Sequence, residues 1–295
     1  MTSSTMTLAN ARLADFLELA KLRVVAMVLL TTCVGFYIGS PGALDLGCLC
    51  HALVGAGLAA AGALALNQYL ERDLDARMER TRRRPLPDGR IEPMQALAFG
   101  TLTAAAGLLY LTVSVNPLSA LVTAAVVVCY LFMYTPLKQR SSLCSVVGAF
   151  PGALPPVIGV AAATGRLGIE AWVLFAILFL WQIPHSLAIA QLYREDYARA
   201  GMRLLPVVEP DGASTGRQVV LNCLALLAVA LTPTLVGLSG GIYFIAALLL
   251  GLGFLACAIL LAIRQRAVDA RRLLLASLVY LPTLLLFMAF DRLPL

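Results

Sequence analysis

Charge is what this sequence most lacks. Only 13% of its 295 residues are Asp, Glu, Lys or Arg, while 60% are hydrophobic. A soluble domain carries about 25% charged residues, so this chain cannot cover a water-facing surface. That excludes a soluble globular enzyme and a disordered chain. Histidine is scarce too, with two residues. None of the seven cysteines shows metal-site or disulfide spacing, so they are read as small apolar packing residues. Cys48-Leu49-Cys50-His51 is one residue short of the covalent haem motif C-x-x-C-H. Residues 1–20 carry Asp15 and Glu18 and no apolar stretch, so no cleaved signal is expected there.

What is abundant is uninterrupted apolar sequence. A spanning helix needs about 20 such residues. Nine runs qualify, at roughly 22–40, 48–70, 94–113, 117–134, 144–162, 169–190, 218–238, 242–263 and 273–290. The expected fold is all-α and polytopic, with nine transmembrane helices in a single domain over 1–295. Pro151, Pro155 and Pro156 cannot sit in one unbroken helix. Span five is therefore expected to be kinked and to line the site, since broken backbone survives in lipid only inside protein or along a cavity.

All but two of the 22 Lys and Arg fall on one side of this topology, the exceptions being Arg166 and Arg292. Positive residues mark the cytoplasmic side, so the N-terminus and the charged loops are expected there. The two long connections, about 71–93 and 191–217, lie on that side and are rich in Arg, Asp and Glu. Such loops are commonly functional. Each follows a span with polar residues in its last turns, and the two spans are four apart. This suggests a degenerate repeat, spans one to four and five to eight, plus a ninth helix.

The first long loop opens with Asn67, Glu71 and Asp75, spaced four apart. Each helical step of four turns only about 40°, so the three oxygens share a stripe, whereas Asp73 faces away. Two carboxylates so placed repel unless a cation joins them. Oxygen ligands without His or Cys suit Mg²⁺ held jointly with substrate phosphates. A salt-bridged helix end, with Arg72 and Arg77 as partners, is the plain alternative. Arg80, Arg82, Arg83 and Arg84 follow at once. Guanidiniums beside metal-directed carboxylates are what a diphosphate site requires. The second loop offers Trp181, His185, Tyr193, Arg194, Glu195 and Asp196. A membrane-buried His is a functional candidate by default. Between the two, Tyr130, Phe132 and Tyr134 precede Lys138: either an interfacial belt with a positive flank, or aromatic faces for a carbocation beside a phosphate-binding amine.

Together these segments resemble the UbiA-type intramembrane prenyltransferase superfamily. NQYLERDLDARMERTRRRPLPDGRI (67–91), YTPLKQRSSLCSVVGAFPGALPPVIGVAAATG (134–165) and WQIPHSLAIAQLYREDYARAGMRLLPVV (181–208) are similar to its haem-directed branch, the protohaem IX farnesyltransferases. The resemblance implies nine helices around a cavity, in a cell inner membrane. It also implies conversion of farnesyl diphosphate, protohaem IX and water to haem O and diphosphate. Carried over, it makes Asn67, Glu71 and Asp75 the metal–diphosphate motif, with Asp196 as a further Mg²⁺ ligand. Arg80, Arg84, Lys138 and Arg194 become phosphate contacts, and Tyr134, Trp181 and Tyr193 prenyl or porphyrin contacts. His185 stands where the superfamily has an acid. That leaves open a second Mg²⁺, an iron ligand or a proton carrier. Beyond the bilayer, the implied partners are a haem A synthase or an oxidase assembly pathway, and no nucleic acid. The rival readings are a relative using a quinone precursor or chlorophyllide, and a secondary transporter. A transporter fits poorly, because the ionisable residues gather at one face rather than the midplane.

Overall fold

The computed structural model describes residues 12–209 and 211–293. Among these it is helical, with no strand beyond an isolated bridge between Ser239 and Arg292. Among the described residues nine helices are long and apolar enough to cross a membrane. They are α1 (Leu22–Gly39), α2 (Leu46–Asp75), α3 (Pro93–Ser114), α4 (Pro117–Leu137), α5 (Cys144–Thr164), α6 (Ile169–Leu192), α7 (Ala213–Leu235), α8 (Gly241–Arg264) and α9 (Ala267–Phe290).

The helices outrun the apolar runs wherever charge begins. Helix α2 continues to Asp75, and α7 and α9 start several residues before their apolar stretches. Lipid sets the hydrophobic length, whereas backbone hydrogen bonding sets the helical one. Local signals fix several ends. Asp45 accepts from the Cys48 N–H (2.9 Å) ahead of α2, and Asn116 accepts from the Ser119 N–H (2.8 Å) ahead of α4. Pro93 and Pro117 occupy first-turn positions, where a missing N–H costs nothing.

Lipid supplies no hydrophobic drive between helices, so close packing relies on small residues. At Gly62 the backbone of α2 touches that of α3 at Gly100 and Ala104, leaving no room for a Cβ. This seats the helix that bears the Asn67–Asp75 stripe. Helix α5 is broken at Leu154, as its prolines require, into Cys144–Ala153 and Pro155–Thr164. Its first half lines the cavity described below through Ser145, as expected of this span, and its second half does not reach that cavity. The second half packs against α1, where Thr32 Oγ1 donates to the Pro155 carbonyl (3.1 Å). Pro184 lies inside α6, which runs unbroken through it. In α4 the residues Cys129–Tyr134 wind as a π-helix just before Pro136. Such bulges recur at functional sites.

Candidate active site

Asn67, Glu71 and Asp75 face the protein interior, at 1%, 4% and 1% exposure, while Asp73 points outward. All three line one cavity of about 170 Å³. Each polar group has a partner from a different part of the chain. Glu71 Oε1 pairs with Lys138 Nζ at 2.7 Å, from the end of α4. Asp75 Oδ2 pairs with the Arg84 guanidinium at 2.6 Å, from the loop after α2. Asn67 Oδ1 accepts from Lys21 Nζ (3.4 Å) and the Tyr130 hydroxyl (3.2 Å), and its amide donates to Thr135 Oγ1 (3.1 Å). Arg72, an expected partner, instead contacts Asp73 and the Tyr69 carbonyl.

The π-helical turn brings Tyr130 and Tyr134 to the same cavity, with ring centroids 5.6 Å apart. Lys138 Nζ lies 4.5 Å from the Tyr134 centroid. Burial alone would favour the neutral amine of Lys138, but Tyr134 and Glu71 outweigh it and hold the group protonated, above the usual lysine range. Gly148 of α5 lies against the Tyr134 ring, where a Cβ would approach Cε2 to 2.5 Å.

Lys21 was not among the residues expected here. Its place ahead of the first apolar run reads as an ordinary positive flank, but the backbone turns into the left-handed region (φ 51°) and sends the side chain inward. That geometry is disfavoured for a non-glycine residue by about 1–2 kcal/mol. The preceding segment offsets it by docking: Leu19 is fully buried, and its carbonyl accepts from Gln68 Nε2 (2.7 Å). Arg90 also ties this segment to the loop through Asp15 and Glu18. Burial, with Arg84 and Lys138 nearby, pushes Lys21 down to about 7.

Arg80 and Arg84 reach the cavity because the loop after α2 is folded rather than loose. Thr81 Oγ1 donates to the Asp75 carbonyl (2.8 Å). The Arg80 guanidinium stacks over Tyr193 (5.1 Å) and donates to the Tyr197 hydroxyl (3.3 Å). Asp196 accepts from the N–H groups of Glu79 (3.3 Å) and Arg80 (3.4 Å), and pairs with Arg199. Burial opposes its ionisation, but these donors outweigh that and hold its carboxyl below the ordinary carboxylate range. The structure does not bring the expected four ligands to one cavity. Asp196 does not line the cavity of Asn67, Glu71 and Asp75, and it holds the arginine loop instead. With Tyr193 and Arg194 it borders a separate hollow of about 450 Å³.

His185 and Trp181 also lie outside the first cavity, which α6 reaches through Ser186, Ile189 and Ala190. Their rings stack at 4.9 Å, and both bind α9 at one residue: Trp181 Nε1 donates to the Ser277 carbonyl (2.9 Å), and His185 Nδ1 meets Ser277 Oγ (2.7 Å). Ser277 spends its only proton on the Leu274 carbonyl (2.6 Å). It must accept from His185 Nδ1–H, which leaves Nε2 with its lone pair.

Among the described residues no three His, Cys, Asp or Glu side chains gather as a metal cage. The donors present are two carboxylates and an amide oxygen, ringed by cations. That set fits Mg²⁺ bound together with a diphosphate, because Mg²⁺ commonly takes one or two carboxylates and completes its shell with phosphate and water.

The model of the UbiA prenyltransferase family matches residues 28–289. The chain belongs to this family. Within it, the chain is 48% identical to the protoheme IX farnesyltransferase of Solibacter usitatus, over 94% of this chain and 98% of that one. It is 43% identical to the protoheme IX farnesyltransferase of Koribacter versatilis, over 99% of each. Solved structures share the fold at low identity. A digeranylgeranylglyceryl phosphate synthase superposes with a TM-score of 0.81 at 15% identity, covering 95% of this chain and 98% of the other. A UbiA homologue from Archaeoglobus fulgidus bound to GPP and Mg²⁺ superposes with a TM-score of 0.65 at 16% identity, covering 93% and 99%.

Proposed function

We propose that this chain is a protohaem IX farnesyltransferase. It joins the farnesyl group of farnesyl diphosphate to a vinyl group of protohaem IX, adds water, and releases haem O and diphosphate. The observation that carries the reading is one cavity in which the buried oxygens of Asn67, Glu71 and Asp75 meet Lys21, Arg84 and Lys138. The names borne by full-length relatives point to haem as acceptor.

Asn67, Glu71 and Asp75 would hold Mg²⁺, which when bound neutralises charge developing on the leaving diphosphate. Arg84, Lys138 and Arg80 take the remaining phosphate oxygens, so the electron pair of the breaking C–O bond leaves onto a stabilised anion. The faces of Tyr130 and Tyr134 flank the same cavity and suit an allylic carbon gaining positive charge. The haem vinyl carbon attacks that carbon, and the new cation beside the porphyrin is captured by water, whose proton is lost to the medium. For the porphyrin, His185 Nε2 is a preset lone-pair donor to iron, oriented through Ser277.

On this reading the charged end faces the cytoplasm and the chain lies in the cell membrane. Haem O would pass to a haem A synthase or an oxidase under assembly. Expression in a host lacking the enzyme, followed by haem extraction and mass spectrometry, tests the proposal. A haem heavier by one farnesyl group and one water supports it. Unchanged haem, or a farnesylated quinone precursor, overturns it.

A further inference from the structure

We propose that Lys21, Arg84 and Lys138 are exchangeable partners: they hold the three metal-directed side chains in the empty site, and they move to the diphosphate when Mg²⁺ and diphosphate arrive together. This rests on the diphosphate site proposed above and adds Lys21 to it.

Each cation meets one of the three side chains, and Asn67 Oδ1 has the Tyr130 hydroxyl as a second partner (3.2 Å). Asn67 Oδ1 has Lys21 Nζ at 3.4 Å, Glu71 Oε1 has Lys138 Nζ at 2.7 Å, and Asp75 Oδ2 has an Arg84 nitrogen at 2.6 Å. The three cations come from three separate elements: the turn before α1, the residue after α4, and the loop after α2. Each covers one oxygen that a metal would need. Lys and Arg carry long side chains that swing by rotamer change. Each therefore reaches a neighbouring anion in the same cavity without backbone movement.

Glu71 and Asp75 are balanced by Lys138 and Arg84, and Lys21 adds positive charge only when protonated. Metal alone must displace those cations and leave them facing it, which in a buried cavity is unfavourable. Diphosphate alone must approach two carboxylates that no longer have partners. Arrival of both restores every pairing, with the carboxylates on the metal and the cations on phosphate oxygens. Binding of the two is then mutually reinforcing, and each strengthens the other by the same factor. The stripe also stays neutralised between turnovers, so the buried carboxylates are never left alone.

The exchange predicts opposite signs for one substitution. Lys138→Met keeps the side-chain stem and removes the amine. It should free Glu71 and tighten metal binding to the empty site severalfold, while weakening diphosphate binding severalfold. Lys21→Met should act in the same directions. A cation whose only task is to brace the fold would tighten neither.

The experiment is equilibrium dialysis of the full chain in lipid nanodiscs, with Mn²⁺ and radiolabelled inorganic diphosphate each counted on the protein side. Thermal unfolding of each variant checks that it is folded. Wild-type protein should bind Mn²⁺ at least about tenfold more tightly when diphosphate is present, and diphosphate more tightly by the same factor with Mn²⁺ (a coupling of about 1.4 kcal/mol). Either folded variant should bind Mn²⁺ alone more tightly than wild type. Independent binding in the wild type, or Mn²⁺ binding unchanged or weakened in both variants, overturns the exchange. If neither variant folds, Lys138→Gln and Lys21→Gln, which keep a polar side chain without the charge, are measured in the same way. A wild type that binds neither probe, even with both present, overturns the proposed diphosphate site itself.

Discussion

Asp75 and Arg84 meet at 2.6 Å, with Asp75 almost wholly buried at the end of α2. The pair folds the loop back over the helix that bears the carboxylates, so the same contact closes the cavity and brings a guanidinium to it. Removing the Arg84 side chain would strand the buried Asp75 carboxylate, typically at about 3–5 kcal/mol.

Asp75→Asn keeps the shape and a hydrogen-bond acceptor for Arg84 but loses the charge. We expect near-normal protein levels and a fall in haem O formation of about 10²–10³-fold, the scale of losing one preorganised electrostatic group. Asp73→Asn should stay within a few fold of wild type, because Asp73 is exposed and its contact with Arg72 is long at 3.8 Å. Product quantified from membranes at matched expression checks both. Equal losses would mean that the helical stripe does not organise the site.

Gly148 is predicted to matter through Tyr134. A methyl group there approaches the Tyr134 ring to 2.5 Å, and overpacking costs about 1–3 kcal/mol. Gly148→Ala should displace the ring, lowering turnover at least about tenfold while the protein still unfolds cooperatively. Turnover and melting curves measured together check this.

Asp196→Asn should leave Mn²⁺ stoichiometry unchanged and raise the KM for farnesyl diphosphate, because Asp196 anchors the Glu79–Arg80 backbone rather than a metal. Its carboxyl titrates below the unfolded value of about 3.9. Its contribution is therefore present above that value and lost as pH falls through the lower folded one. Between pH 6 and 8 the wild type and the variant should differ by a constant factor, which a pH series of KM values checks.

The nine spans and the one-sided charge were legible in sequence because apolar length and Lys/Arg placement are local properties. The Asn67–Glu71–Asp75 stripe was legible because helical period alone fixes a face. Lys21 was not, since nothing nearby announces a left-handed turn that sends a flanking lysine inward. The backbone contacts of Asp196 were hidden for a related reason. An acid in a charged loop reads as a ligand until the N–H groups of Glu79 and Arg80, more than 100 residues away, are seen to occupy it. The prolines of α5 marked a break correctly, but which side of the break faces the site depends on α1 packing, through Thr32. The π-turn at Cys129–Tyr134 left no signal beyond Pro136.

His185 should act on the haem side alone. His185→Ala is expected to retain diphosphate binding and lose haem affinity or product. Ser277→Ala, which removes the acceptor fixing Nδ1–H, should weaken haem binding less. His51→Ala should be nearly silent, as His51 sits at the start of α2 against Tyr110 (2.7 Å). Haem titrations by absorption and separate dialysis with labelled farnesyl diphosphate check the three. Lost diphosphate affinity with haem affinity intact would place His185 in the phosphate site.

The most direct test is a single incubation of the purified chain with farnesyl diphosphate, protohaem IX and Mg²⁺ in ¹⁸O-labelled water, followed by mass spectrometry of the extracted haem. The account predicts a haem bearing one farnesyl group and one ¹⁸O hydroxyl, formed by the wild type, absent with chelator and about 10²–10³-fold scarcer with Asp75→Asn. Unmodified haem, full product in chelator, or farnesylated haem without ¹⁸O would contradict it.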